Sequence, residues 1–267
     1  MDLNQGMSMP IIEPVAAFSD NYIWLLHDDG GAHVVDPGDA APVLAALEAR
    51  EMTLATIILT HHHFDHVGGV TTLKERTGCR VIGPDNPAIS DMDETLRDGD
   101  VCSVGSYRFE VIAVPGHTLD HIAYYQDSRH EGDDPLLFCG DTLFAGGCGR
   151  IFEGDPPMMY DSLQRLAALP GNTRVYCAHE YTLANLAFAR AADPDNAALR
   201  ERLETAQALR RSDIPTVPST VRLELDTNPF LRGDQPGPRA ALLQHGREAG
   251  GSPVEVFAAL RAWKDEF

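Results

Sequence analysis

The sequence predicts an α+β protein, built of layered sheets covered by helices and followed by a mainly helical C-terminal domain. Two observations carry this. Through the first two-thirds, short apolar strand-like runs interleave irregularly with helical patterns and form few strict strand–helix–strand repeats. After His179 the strand-like runs stop and helical patterns take over. A boundary therefore falls near residue 180, dividing the chain into a domain over 1–180 and a helical one over 181–267.

Each element has its own signal. Strand patterns occur at "NYIWLLHD" (21–28), "AHVVDP" (32–37), "LATIILT" (54–60), "RVIG" (80–83), "YRFEVIAVPG" (107–116), "IAYYQ" (122–126), "LLFCGD" (136–141) and "TRVYCAH" (173–179). Helical spacing intervenes at 39–50, 67–78 and 156–169. Two further helices are predicted at 180–192 and 196–212, with a turn at "DPDN" between them. The proline-rich stretch 213–238 reads as an ordered loop over the surface. The last helix spans 252–267, with Ser252 as N-cap and Pro253 in its first turn.

The formal net charge of −19 decides which partners to exclude. So acidic a chain is repelled by nucleic-acid phosphates and anionic lipid headgroups, so neither is an expected partner. An anionic substrate would need a local basic pocket. The five cysteines (79, 102, 139, 148 and 177) show no CxxC pairing and suit buried thiols in a reducing compartment. The N-terminus lacks a basic n-region and an apolar h-region, and no run reaches membrane-spanning length. These features predict a cytoplasmic protein, expected as a monomer.

The apolar run "LATIIL" leads into "THHHFDHVGG", which places four histidines and an aspartate within residues 61–66. Just past a strand end the chain is still extended, and side chains two apart point the same way. His61 and His63 therefore converge and His62 points away. The chain then turns at Gly68 and Gly69 into a helix, with Asp65 and His66 at its mouth. Two pairs of ligands result, enough to begin two metal sites. Two first-row metals need more donors than one loop supplies. His117 in "VPGHT", Asp141 in "FCGDTLF" and His179 in "VYCAHEYT" each follow an apolar strand, where sheet folds place functional groups. Together these seven N/O donors fit two divalent centres sharing an aspartate. Cys139 and Cys148 flank Asp141 but read as packing; His121 reads as the start of a strand. His27, His33, His130 and His245 read as surface or turn residues.

The strings "THHHFDHVGG", "PGHT", "GDTLFAGGCGR", "AHEYT", "TVPST", "TNPF" and the closing "LRAWKDEF" resemble glyoxalase II, the hydroxyacylglutathione hydrolases of the metallo-β-lactamase superfamily. They stand in the family's order and span nearly the whole chain. The resemblance implies a four-layer αβ/βα sandwich and two divalent metal ions, zinc foremost, with iron or manganese also accepted. By it, His61, His63 and His117 bind the first ion and Asp65, His66 and His179 the second, with Asp141 bridging. Arg150, Tyr181, Arg261 and Lys264 would hold the glutathione moiety. Phe152 stands where many members carry tyrosine, Arg150 where many carry lysine, and Trp263 where a polar residue is more usual.

The implied activity is hydrolysis of the thioester of S-(2-hydroxyacyl)glutathione, S-D-lactoylglutathione above all, as in methylglyoxal detoxification. A metal-bridging hydroxide would attack the carbonyl, with Asp65 and Asp141 as catalytic carboxylates. A thiol of pKa near ~8.5 leaves without full protonation, so no separate general acid is needed. Arg261 and Lys264, three apart, share a helix face, and Arg150 follows a glycine-rich turn. The rival within the superfamily is a glutathione-dependent persulfide dioxygenase with one iron. A non-catalytic metal-binding module is the alternative from another class.

Overall fold

The structure, a computed structural model, describes residues 11–28, 31–128 and 133–267. The chain divides into two compact units, 1–111 and 112–267.

The first unit opens with an antiparallel meander of β1 (Ile11–Ala17), β2 (Asn21–Asp28) and β3 (Gly31–Val35). Helix α1 (Ala40–Ala49) then returns the chain so that β4 (Leu54–Ile58) lies parallel to β3. Asp39 caps α1 by accepting the Ala41 N–H at 2.9 Å. After β4 come a single turn, α2 (Phe64–Val67), and α3 (Val70–Thr77). Gly78 ends α3 in the left-handed region (φ 70°), and its N–H bonds the Lys74 carbonyl. Strands β5 (Arg80–Pro84) and β6 (Glu94–Leu96) extend the sheet in parallel, giving the order β1-β2-β3-β4-β5-β6. Leu25, Val34, Ile57, Leu59, Leu73 and Val81 fill its core, each contributing about 1.5–3 kcal/mol by leaving water. A hairpin of β7 (Val101–Val104) and β8 (Tyr107–Ala113) follows.

In the second unit β9 (Ile122–Gln126) pairs antiparallel with β10 (Leu136–Gly140). A small hairpin, β11 (Leu143–Phe144) and β12 (Gly147–Cys148), precedes α4 (Pro156–Ala167). Strand β13 (Arg174–Cys177) lies parallel to β10, with a register shift between Phe138 and Gly140. Helices α5 (Thr182–Ala192) and α6 (Ala197–Arg211) pack through Leu186, Ala189, Leu199 and Ala206. Then come β14 (Ser219–Thr220), α7 (Val221–Thr227), a 3-10 turn (Pro229–Leu231), α8 (Pro236–Gln244) and α9 (Pro253–Glu266). The second sheet has the order β14-β13-β10-β9-β8-β7, and the division between the units falls within β8.

The expectation of a loop over 213–238 is corrected: most of it folds as β14, α7, the 3-10 turn and the start of α8. Pro229 and Pro236 sit in first turns, where a missing N–H costs nothing. Residues 67–78, expected as one helix, hold the end of α2 and the whole of α3. His33, expected at the surface, is buried on β3. His130 lies outside the described residues. Trp263 is a core residue: its ring meets Phe188 edge-on at 5.2 Å and lies 4.4 Å from the His245 ring, with the Arg247 guanidinium 5.7 Å away.

Candidate metal centre and anion site

In the first unit the donors follow β4. Thr60, His61 and His66 are fully buried, and the His61 ring lies 4.0 Å from that of His66 and 4.7 Å from that of His63. Gly38, between β3 and α1, permits a close backbone approach to α2, since a Cβ there would stand 1.8 Å from the Asp65 carbonyl oxygen. Asp36, just past β3, organises the set. It adopts φ 54°, which aspartate tolerates better than most residues. One carboxylate oxygen accepts the Thr60 N–H at 2.8 Å. The other accepts the Thr60 hydroxyl at 2.7 Å and lies 3.0 Å from His66 Nδ1.

These contacts fix the tautomer of His61. The Thr60 hydroxyl donates its one proton to Asp36, so at 3.1 Å it accepts from His61 Nδ1, which leaves the lone pair of that ring on Nε2. His66 Nδ1 stands against the Asp36 carboxylate, and its Nε2 lies 3.5 Å from Asp65 Oδ2. Asn21 Nδ2 donates to that same Asp65 oxygen at 3.0 Å.

In the second unit His117, Asp141 and His179 come together. The parallel register of β10 and β13 sets Gly140 opposite Cys177, so the loops bearing Asp141 and His179 leave the same edge. Asp141 Oδ2 lies 3.4 Å from His117 Nε2 and Oδ1 lies 3.3 Å from His179 Nε2. His117 Nδ1 donates to the Arg150 carbonyl at 2.7 Å, because a carbonyl can only accept. His117 Nε2 therefore presents a lone pair toward a carboxylate oxygen. Two acceptors face each other stably only with a cation or a proton between them. Ligands at ~2.1 Å in tetrahedral geometry stand about 3.4 Å apart, the spacing seen here. The residues fit divalent metal ions.

His121, expected only to begin a strand, is buried and accepts the Asp141 N–H on Nε2 at 3.0 Å. Gly149 allows the return of the chain, since a Cβ there would stand 1.9 Å from the Asp141 carbonyl oxygen. Cys139, Cys148 and Cys177 are buried thiols. Burial raises all three pKa values, that of Cys177 to about 12, so these groups pack and do not supply thiolate.

Beside this set lies a basic cluster. Arg150 is exposed, with Nε 3.3 Å from Asp265. Arg261 is buried; its guanidinium donates to the Cys148 carbonyl at 3.1 Å and to Asp265 at 3.0 Å, and lies 5.1 Å from the Phe230 ring centre. Lys264 is half-buried beside Phe188 and Phe267. Burial, then the charge of Arg261, then that of Arg150 hold its pKa below the usual lysine range, with Asp265 opposing. Three cations against one carboxylate give this part of an acidic chain a local positive charge. Tyr181 stacks on the His179 ring (4.6 Å, 5° between planes), and the exposed Phe152 ring meets His117 edge-on at 5.3 Å.

Histidine and aspartate donors at strand ends of a two-sheet α+β chain define a class, the metallo-β-lactamase superfamily, whose family model matches residues 17–179. A second model, described as the hydroxyacylglutathione hydrolase C-terminus, matches residues 180–267. The hydroxyacylglutathione hydrolase of Pseudomonas aeruginosa (strain LESB58) is 57% identical over 96% of this chain and 99% of its own. That of Chromohalobacter salexigens is 54% identical over 97% of this chain and 100% of its own. Among solved structures, ETHE1 from Myxococcus xanthus is similar, with 28% identity and a TM-score of 0.64 over 95% of this chain and 98% of that one. The chain belongs to the hydroxyacylglutathione hydrolase family. Its fold is the metallo-β-lactamase fold, with a mainly helical C-terminal region.

Proposed function

We propose that the chain hydrolyses the thioester of S-(2-hydroxyacyl)glutathione, S-D-lactoylglutathione above all, to glutathione and a 2-hydroxy acid. The observation that carries this reading is Asp141, whose two oxygens each face a different imidazole nitrogen beside a basic cluster suited to a peptide-like anion. Two divalent ions would be held, zinc foremost, with iron or manganese acceptable to a thiolate-free donor set. His61, His63 and His117 would serve one ion and Asp65, His66 and His179 the other, with Asp141 shared. Such ions lower the pKa of water and polarise a carbonyl oxygen.

The chain's own residues do the rest. Asp36, through Thr60, holds His61 in one tautomer and stands against His66, Asn21 steadies Asp65, and His121 fixes the backbone of Asp141. Asp141 and Asp65 would orient the attacking oxygen. Arg150, Tyr181, Arg261 and Lys264 would hold the glutathione carboxylates and backbone by charge-assisted contacts. Arg261, already committed to Cys148 and Asp265, would act chiefly through its charge. Residues 1–180 would form the catalytic domain and 181–267 the substrate-binding one. A cytoplasmic monomer belongs to the same proposal, supported by five buried thiols; among the described residues no helix is long and apolar enough to cross a membrane.

The test is hydrolysis of S-D-lactoylglutathione by protein whose metals have been counted. Turnover with about two ions per chain supports the reading. One iron per chain with oxygen uptake on glutathione persulfide would replace it by the dioxygenase; bound metal with neither activity would leave a metal-binding module.

A further inference from the structure

The motifs "TVPST" and "TNPF" have no part in the chemistry above, yet they supply Ser219, Thr227 and Asn228 to a buried polar network in the second unit. Glu224 on α7 is fully buried. One of its oxygens accepts the Gly146 N–H at 2.8 Å and the Asn228 side-chain amide at 3.1 Å. The other is met by the Arg202 guanidinium and the Ser219 hydroxyl. Asn228, four residues on, also donates to the Gly147 carbonyl at 2.8 Å. The Arg202 guanidinium is tied in turn to Thr227 at 2.6 Å. A buried carboxylate is tolerated only with its lone pairs used, and here four donors from separate segments use them.

What this network grips is a turn. Gly146 takes φ 71°, a conformation other residues resist, and a Cβ there would stand 2.8 Å from Leu186. Glu224 holds the N–H of residue 146 and Asn228 the carbonyl of residue 147, so both faces of the β11–β12 turn are fixed. Asp141 stands just before this hairpin and Arg150 just after it. The Gly149 N–H bonds the Thr142 carbonyl at 3.2 Å, closing the hairpin base, and the Arg150 carbonyl holds His117. A displacement at 146–147 therefore moves both ends together.

We propose that Glu224 and Asn228 are positioning residues: through the Gly146–Gly147 turn they set the placement of Asp141 and Arg150 at once. This rests on the roles assigned to Asp141 and Arg150 above. The test compares Asn228→Ala and Glu224→Gln with Thr227→Val, which loosens Arg202 but leaves both contacts to the turn in place. Hydrogen exchange of the 143–150 segment, metal content, Tm and steady-state kinetics are measured on each. The expected result is faster exchange in 143–150 for Asn228→Ala and Glu224→Gln, with KM raised and kcat lowered. For Asn228→Ala the loss in kcat/KM is on the order of 100-fold, the scale of a misplacement near 1 Å. Thr227→Val, at equal or greater loss of Tm, keeps wild-type exchange and kinetics. Unchanged exchange in the first two variants, or equal losses in Thr227→Val, overturns the proposal. If wild-type protein does not hydrolyse the thioester, the functional reading fails, while exchange and metal content still decide whether the turn is positioned this way.

Discussion

The Thr60 hydroxyl has one proton, and Asp36 takes it. That small fact sets which nitrogen of His61 can hold a cation, and the same carboxylate lies 3.0 Å from His66 Nδ1. Asp36→Asn should therefore weaken metal affinity about 10–100-fold while leaving every ligand in place. Metal titration against a competing chelator measures it; an unaltered affinity removes Asp36 from the centre. Lys264 supports a second expectation. Its depressed pKa means that it loses its charge at a lower pH than an ordinary lysine. In the proposed role it would attract the substrate carboxylate below that point and lose that attraction above it. The kcat/KM profile should show an alkaline limb below the lysine range, and Lys264→Arg, which stays protonated, should move the limb upward. Lys264→Ala should raise KM about tenfold with a smaller change in kcat. The seven metal-ligand candidates could be named from sequence because four stand in one histidine-rich stretch after β4 and the others come shortly after β8, β10 and β13. Asp36, Asn21 and His121 were not, because their partners stand 24, 44 and 20 positions away. Such contacts leave no local pattern.

At the scale of elements, the end of the chain is the most explicit. Ser252 and Glu255 form a full capping box at α9, the helix that carries Arg261 and Lys264. Ser252→Ala should cost about 1 kcal/mol, read by urea denaturation, with kcat unchanged. The three hydrogen bonds that Glu255 accepts from Ser252 and Gly251 hold its pKa below the usual carboxylate value. A depressed pKa stabilises the folded state above the unfolded value, and the benefit is lost as pH falls through the folded one. Elsewhere local pattern and structure part company. Strand β1 contains Pro14, which breaks a strand pattern but is accommodated because, among the described residues, β1 pairs on one side only. Strand β6 is three residues long, too short for alternation to register. Helix α8 opens on "PGP", which reads as a loop until Pro236 and its neighbours take up first-turn positions.

For the whole molecule, the α+β class and the helical C-terminal region were legible from the change of pattern after His179, while the order of strands in two sheets was not, since pairing is non-local. Linkage offers the test at this scale. The proposed ligand set has seven members, four from residues 61–66 and three at 117, 141 and 179. Ions held by native ligands but not by the unfolded chain stabilise by mass action, roughly 2.7 kcal/mol at a free concentration a hundred times Kd. For a chain of this size ~1 kcal/mol moves Tm by about 2–4 °C. Stripping the metals should then lower Tm by about 5–10 °C, and adding zinc back should restore both Tm and hydrolysis. In Asp141→Asn, which replaces the shared carboxylate by an amide, the chelator should shift Tm far less. Scanning calorimetry of holo, stripped and reloaded protein reads this directly. A Tm indifferent to the metals would mean that the seven side chains do not act as one ligand set.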